Sequence, residues 1–496
     1  MNSSESWPDF DEAWSRVRRM QAKLYLWATR NPGREFDDLH NLVCDPAFLV
    51  HAWERVHGNK GGRTAGIDGV VPRSIPKEST VLLSTLRVEL RERTFRPQPV
   101  REKLIPKPGY PLKKRRLGIP TTADRVVQAA LKLVLEPIFE AGFQPSSYGF
   151  RPRRRAQDAI AEIHLFGSRG YRWVLEADIE ACFDRIDHTA LMERVRHRIG
   201  DKRVLALVKA FLKAGVLTEE GLNRDSQTGT PQGGILSPLL ANIALSVLDD
   251  HYQDKWDVAS GSGLLADPGS RRKYLHSKGE ATYRCVRYAD DFVILVHGGQ
   301  HHAEQARIEV AEVLRPMGLT LSPEKTRVLH IDEGFDFLGW RIQRRAKRGT
   351  NRKKMIVYTY PSKKSLASIV AKVRRITSRA MTYKSLEKVL KYLNLVVRGW
   401  CMYFRHGVSS DTFSYLGHYM WREVAHWMSM KHRRVRWRDL RRRYSDPRYP
   451  AWLPAENGTV LYNPAEIVIE RYRWRGYAIP TPWSALAEQL DTLSRA

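Results

Sequence analysis

Residues 283–296 read Tyr-Arg-Cys-Val-Arg-Tyr-Ala-Asp-Asp-Phe-Val-Ile-Leu-Val. Two short apolar runs flank Tyr288-Ala289-Asp290-Asp291, which predicts a hairpin with paired carboxylates at its tip. An Asp-Asp pair alone is usually a solvated turn, but this one has company. Upstream, Trp173-Val-Leu-Glu-Ala-Asp-Ile179 reads as a buried strand ending in an acid, and Asp184 follows shortly after. Between the two acidic sites lies a turn, Pro231-Gln232-Gly233-Gly234. Bringing both strand ends together concentrates negative charge, which is costly without cations. Hard divalent ions such as Mg²⁺ relieve that repulsion through oxygen ligands. Two such ions, roughly 3.5–4 Å apart, suit the in-line displacement of a phosphoryl transfer.

Around this centre the composition is basic. The 496 residues include 83 Lys and Arg against 54 Asp and Glu, a net charge of +29. Charge of that size points to a polyanionic partner. A hydrophobic content of 42% supports large cores and excludes wholesale disorder. No apolar run reaches the length of a membrane span, and the polar, acidic N-terminus does not read as a secretory signal. Cys44, Cys182, Cys285 and Cys401 are far apart in sequence, so neither a paired-cysteine zinc site nor a disulfide framework is expected. A reducing, cytoplasmic compartment is expected.

The excess charge is uneven. Residues 341–496 hold 33 Lys and Arg against 10 Asp and Glu, and seven of the 14 tryptophans. Residues 1–340 are close to balance. Along the chain, helical patterns are expected over 11–57, 80–93, a segment starting at Thr121 or Thr122, 188–199, 202–214, 235–248 and 302–316. Residues 251–281 read as an irregular polar insertion. From about 363 the pattern is helical again. Leu386, Val389, Leu390, Leu393, Val397, Trp400 and Phe404 define a single apolar face.

Eight blocks stand in a specific order. They are Lys103-Leu-Ile-Pro-Lys107-Pro; Arg115-Arg-Leu-Gly-Ile-Pro120; Ser147-Tyr-Gly-Phe-Arg-Pro152; Asp178 to Asp184; Gly229 to Pro238; Tyr288 to Asp291; Leu321-Ser-Pro-Glu-Lys-Thr326; and Phe337-Leu-Gly-Trp340. In these blocks the chain resembles the reverse transcriptases encoded by bacterial group II introns, also called intron maturases. Leu393 to Trp400 with Tyr403-Phe404 resembles the maturase (X) region of that family. The resemblance implies an α+β fold: a right-hand polymerase (fingers and palm) with an α-helical thumb/maturase domain and a basic C-terminal DNA-binding segment. Its implied boundaries are 1–75 for an N-terminal extension and first block, 76–345 for fingers and palm, 346–430 for the thumb/maturase domain and 431–496 for the DNA-binding segment.

Site roles follow from the same resemblance. Asp178, Asp290 and Asp291 would be catalytic and, with the Ile179 carbonyl, would hold two Mg²⁺ ions. Lys107 and Arg115 would bind the triphosphate of a deoxynucleoside triphosphate. Phe183 would exclude a ribose 2′-hydroxyl, while Pro231, Gln232 and Gly233 would line the nucleotide and template pocket. Implied partners are the parent group II intron RNA, an RNA template with DNA primer, and target DNA, with no membrane. The implied activity is RNA-directed DNA synthesis, with help to splicing and copying of the intron into DNA by target-primed reverse transcription. Alternatives are a domesticated relative in DNA repair or phage defence, and a maturase acting only as an RNA-binding protein. The paired cysteines of the family's HNH nuclease are missing, so no such nuclease is expected. The runs 341–354 and 431–444 each carry eight Lys and Arg, and Trp421, Trp437 and Tyr444 are expected to stack on bases.

Overall fold

The hairpin forms as its sequence predicts. Thr282–Tyr288 pairs antiparallel with Asp291–His297, with Val286 opposite Val293 and Tyr288 opposite Asp291. A computed structural model describes residues 7–495 apart from 79, 108–109, 219–222, 225–227, 262–266, 348–353, 449–452 and 477–478. The hairpin belongs to a four-stranded sheet ordered Thr282–Tyr288, Asp291–His297, Trp173–Asp178, Arg327–His330. The strand that ends in Asp178 therefore neighbours the arm that begins at Asp291. Val174, Leu175, Val286 and Val293 to Val296 are all buried, as strands covered on both faces require.

The chain forms two compact units. The first comprises Met1–Arg155, Leu175–Val328 and Arg475–Ala496. Its first helix, Phe10–Arg30, opens on a capping box: Asp9 accepts from the Glu12 amide at 2.8 Å and Glu12 accepts from the Asp9 amide at 3.3 Å. That helix packs against Pro46–Gly58, Thr122–Glu140 and the last helix, Ser484–Arg495. Gln21 ties these elements together. Its Nε2 donates to the Leu133 carbonyl at 2.7 Å, and its Oε1 accepts from the Trp483 indole at 3.1 Å. Of the two threonines that could cap the helix near 121, Thr121 does so: its hydroxyl accepts from the Asp124 amide at 3.1 Å. A second sheet pairs Val100–Lys107 with Tyr110–Ile119 and adds Val216–Leu217 and Asn223–Arg224.

The expected insertion over 251–281 is largely helical. Helix Ser237–Ser260 runs well past residue 248, because Tyr252, Trp256 and Ala259 continue its buried face. Helix Pro268–Ser277 follows, capped by Asp267. Polar residues on the outer faces diluted the apolar spacing in the sequence.

The second unit comprises Ala156–Val174 and Leu329–Trp474. Helix Ala156–Ser168 packs on a sheet ordered Met355–Pro361, Trp340–Ala346, Phe335–Phe337. Helices Lys363–Ile376, Leu386–Phe404 and Ser410–Lys431 follow. The apolar face read over 386–404 is buried, with Cys401 added and Trp400 only half-buried. Trp340 is core: it is 1% exposed and its ring lies 4.8 Å from that of Phe404. Arg433, Arg434, Arg436, Arg438, Arg441, Arg442 and Arg443 are exposed around the short helix Trp437–Arg443. Trp437 is exposed there too, but Tyr444 is buried and hydrogen-bonded to His432 at 2.8 Å, so it is not open to a base. Among the described residues, no helix is long and apolar enough to cross a membrane.

Candidate active site

The hairpin tip holds its carboxylates through an unusual backbone. Ala289 takes φ +60°, a left-handed conformation that a non-glycine residue adopts only under constraint. The constraint is Arg287, whose side chain is fully buried. Its guanidinium donates to Asp249 at 2.8 and 2.5 Å, to Asn242 Oδ1 at 3.0 Å, to Ser147 Oγ at 2.7 Å and to the Ala289 carbonyl at 2.9 Å. One side chain thus joins the 147–152 block, the helix after the Pro-Gln-Gly turn, and the peptide next to Asp290. Gly149 lies beneath the tip: a Cβ there would meet the Ala289 nitrogen at 2.1 Å, so only glycine fits.

Asp178 sits at the end of its strand. Its carbonyl accepts from the Ser322 amide at 2.8 Å, and the next residue, Ile179, is buried and bridges to Leu321. Its carboxylate accepts from Lys325 Nζ at 2.7 Å. Asp290 is raised above the usual carboxylate range by burial and then by Asp178, with Arg115 and Lys325 opposing. Asp291 is raised to about 6 by burial in the surrounding protein, then by Asp290 and Asp178. Its surface nonetheless opens to solvent, which screens part of that effect. The structure therefore gathers Asp178, Asp290 and Asp291 into one electrostatically coupled group, with Arg115 close enough to act on it.

Phe183 projects from the short segment Cys182–Arg185, which follows Ala181 at φ +47°. Its carbonyl accepts from the Thr230 amide at 2.7 Å, linking it to the Pro-Gln-Gly turn. That turn abuts the second sheet: the Gly118 amide donates to the Gln232 carbonyl at 2.8 Å, and Gly233 at φ +121° passes over the Gly118 carbonyl. Ser237 Oγ closes the turn onto the Pro231 carbonyl at 2.8 Å. Arg115 is exposed on its strand, opposite Ile105. The Lys107 side chain lies outside the described residues.

Among the described residues, no three His, Cys, Asp or Glu side chains form a ready-made metal cage. The donor set still suits Mg²⁺, which is ordinarily held by one or two carboxylates together with substrate phosphates. The Lys325 ammonium, 2.7 Å from Asp178, marks a position that a cation stabilises.

Sequence reasoning missed three residues here. Arg287 had a visible signal, a charge inside an apolar strand, which demands a buried partner. Lys325 lay inside a quoted block, but its meeting with Asp178 is tertiary. Phe150 also lay inside a quoted block, and nothing local announces its backbone at φ +58° or the contact of its ring with Phe183.

Carboxylates at adjacent strand ends, a glycine turn and an aromatic beside them define a palm-type polymerase of the reverse-transcriptase class. A family model described as reverse transcriptase (RNA-dependent DNA polymerase) matches residues 105–342, and one for the group II intron maturase-specific domain matches 366–445. Protein YkfC of Escherichia coli (strain K12) is 36% identical over 380 residues, 72% of this chain and 97% of that protein. The group II intron-encoded protein LtrA of Lactococcus lactis subsp. cremoris is 34% identical over 355 residues, 62% of this chain but only 57% of LtrA. The putative COX1/OXI3 intron 1 protein of Saccharomyces cerevisiae is 28% identical over 335 residues, 62% of this chain and 39% of that protein. The chain belongs to the group II intron-encoded reverse transcriptase/maturases and is an RNA-directed DNA polymerase.

Proposed function

We propose that the chain copies RNA into DNA at the Asp178–Asp290–Asp291 cluster and serves as the maturase of its own group II intron. The observation that carries this reading is the coupling of those three carboxylates at adjacent strand ends. Asp178 and Asp290 would hold two Mg²⁺ ions, with Asp291 and the Ile179 carbonyl in support. Bound there, Mg²⁺ supplies Lewis-acid activation of a 3′-hydroxyl and charge neutralisation at the leaving pyrophosphate. Arg115 and Lys107 attract the incoming triphosphate, where a guanidinium and an ammonium are the natural partners. Pro231, Gln232 and Gly233 line the nucleotide and template pocket. Primer extension on an RNA template tests the reading, and an inactive wild-type chain would end it.

Phe183 closes the sugar side of the pocket against a 2′-hydroxyl. Phe183→Val is expected to raise ribonucleotide incorporation by roughly ten- to a hundredfold, read as the ratio of kcat/KM for dCTP and CTP. Unchanged sugar preference would refute the role.

Protons and metal compete for the raised carboxyls. Mn²⁺ affinity of the chain without nucleotide is expected to fall as pH drops through about 6, with proton release on binding. Calorimetry in two buffers of different ionisation enthalpy measures that release. The linked stability runs the opposite way. A carboxyl held above its unfolded value favours the metal-free fold at low pH and loses that contribution as pH rises through about 6.

The finer architecture follows the family: palm and fingers, then a thumb over 346–430 that grips intron RNA, then DNA-contacting residues over 431–496. Copying the intron into DNA would occur by target-primed reverse transcription in the cytoplasm, at the nucleoid. The exposed arginines 433–443 would bind phosphates. Replacing Arg441, Arg442 and Arg443 by alanine is expected to flatten the slope of log affinity against log salt by about 2–3 for duplex DNA. An unchanged slope in a filter-binding titration would remove this segment from the interface.

A further inference from the structure

Phe150 is held in a conformation that it would not choose. It has φ +58°, a region unfavourable for an aromatic residue, and its side chain remains 49% exposed. Its neighbours leave it no alternative. On one side Gly149 is wedged under the hairpin tip, and its carbonyl accepts from Asn242 at 2.9 Å. On the other side Arg151 is buried, paired with Glu140 at 2.8 Å and donating to the Gln144 and Ser147 carbonyls at 2.6 and 2.8 Å. Strain of this kind persists only where the surroundings over-determine it, and it collects at functional sites. Here it turns the Phe150 ring toward Phe183. The two rings meet edge to face, 6.3 Å apart at 78°, within the range of favourable aromatic pairs.

We propose that Phe150 is a positioning residue for sugar selection: its ring fixes that of Phe183 where an incoming ribose would place its 2′-hydroxyl, favouring deoxyribonucleoside triphosphates. The proposal rests on the reading of Phe183 given above. Phe183 is only half-buried on a short segment, so its own surroundings leave its ring some freedom. A second ring against its edge removes that freedom, and the strained backbone at Phe150 keeps the second ring in place.

The test compares kcat/KM for dCTP and CTP on one RNA template for the wild type, Phe150→Gly, Phe150→Asn, Phe150→Tyr and Phe183→Val. Phe150→Gly removes the ring and is at ease with positive φ. It is expected to lower the deoxy-over-ribo preference about tenfold, with a thermal midpoint close to that of the wild type. Phe150→Asn, also tolerant of this backbone, should do the same, so the result does not depend on one variant folding. Phe150→Tyr keeps the ring and should keep the preference. A loss of preference in Phe183→Val with none in the glycine and asparagine variants would overturn the role of Phe150 and leave that of Phe183 standing. No loss in Phe183→Val would overturn the underlying reading.

Discussion

Asp290→Ala in the full chain is expected to reduce primer extension on an RNA template at least about a thousandfold. The estimate follows from a metal ligand contributing several kcal/mol of charge stabilisation at ~1.4 kcal/mol per decade of rate. The fold should survive. Asp290 is raised by burial and by Asp178, so its charge is a cost to the metal-free protein. Removing it relieves repulsion, and the thermal midpoint without metal should hold or rise. That pairing of outcomes separates chemistry from unfolding. Extension within tenfold of wild type would remove Asp290 from the reaction, and a collapsed midpoint would mean that the cluster is structural.

Arg287→Met tests what holds that cluster in place. The Arg287 and Asp249 side chains are both wholly buried. Taking away the guanidinium strands the Asp249 charge and leaves Asn242, Ser147 and the Ala289 carbonyl without their donor. Breaking one side of such a pair costs about 3–5 kcal/mol, enough to lower the unfolding midpoint by several degrees. The double variant Arg287→Met/Asp249→Leu should recover much of the stability, because two apolar side chains tolerate the interior that one orphaned charge does not. Extension should stay low in the double variant, since the Ala289 peptide still lacks its anchor. Recovery of activity together with stability would show that Arg287 serves the core and not the tip.

The contrast between these two residues marks how far the sequence could be read. Asp290 was legible because two apolar runs rich in β-branched residues announce the hairpin and the acids stand at its turn. Asp178 was legible for the same reason, at the end of an apolar run. The helix over 386–404 was legible because its spacing is regular. Arg287 could have raised a question, but four of its five acceptors lie on Ser147, Asn242 and Asp249, in distant stretches that only the fold unites. Lys325 pairs with a carboxylate 147 positions away, and no local pattern encodes that. The 251–281 stretch was misread because helix Ser237–Ser260, buried on most sides over 239–246, buries only Tyr252, Trp256 and Ala259 beyond residue 250. Tyr444, read as a base-stacking ring, is occupied by His432, a pairing set by how the short helix Trp437–Arg443 folds back.

The Gln21–Trp483 hydrogen bond joins residues 462 positions apart. On the ribosome, the first helix emerges long before the segment that covers it. Until Trp483 and helix Ser484–Arg495 arrive, the Gln21 and Tyr25 side of that helix lacks its final neighbour. The second unit, encoded wholly before residue 475, can finish folding in the meantime. The unit that carries Asp178, Asp290 and Asp291 is thus covered only when the stretch after Trp474, which follows the whole of the second unit, has left the ribosome. A message cut short before Trp483 yields a chain with Asp178, Asp290 and Asp291 in place and helix Phe10–Arg30 still uncovered on that side.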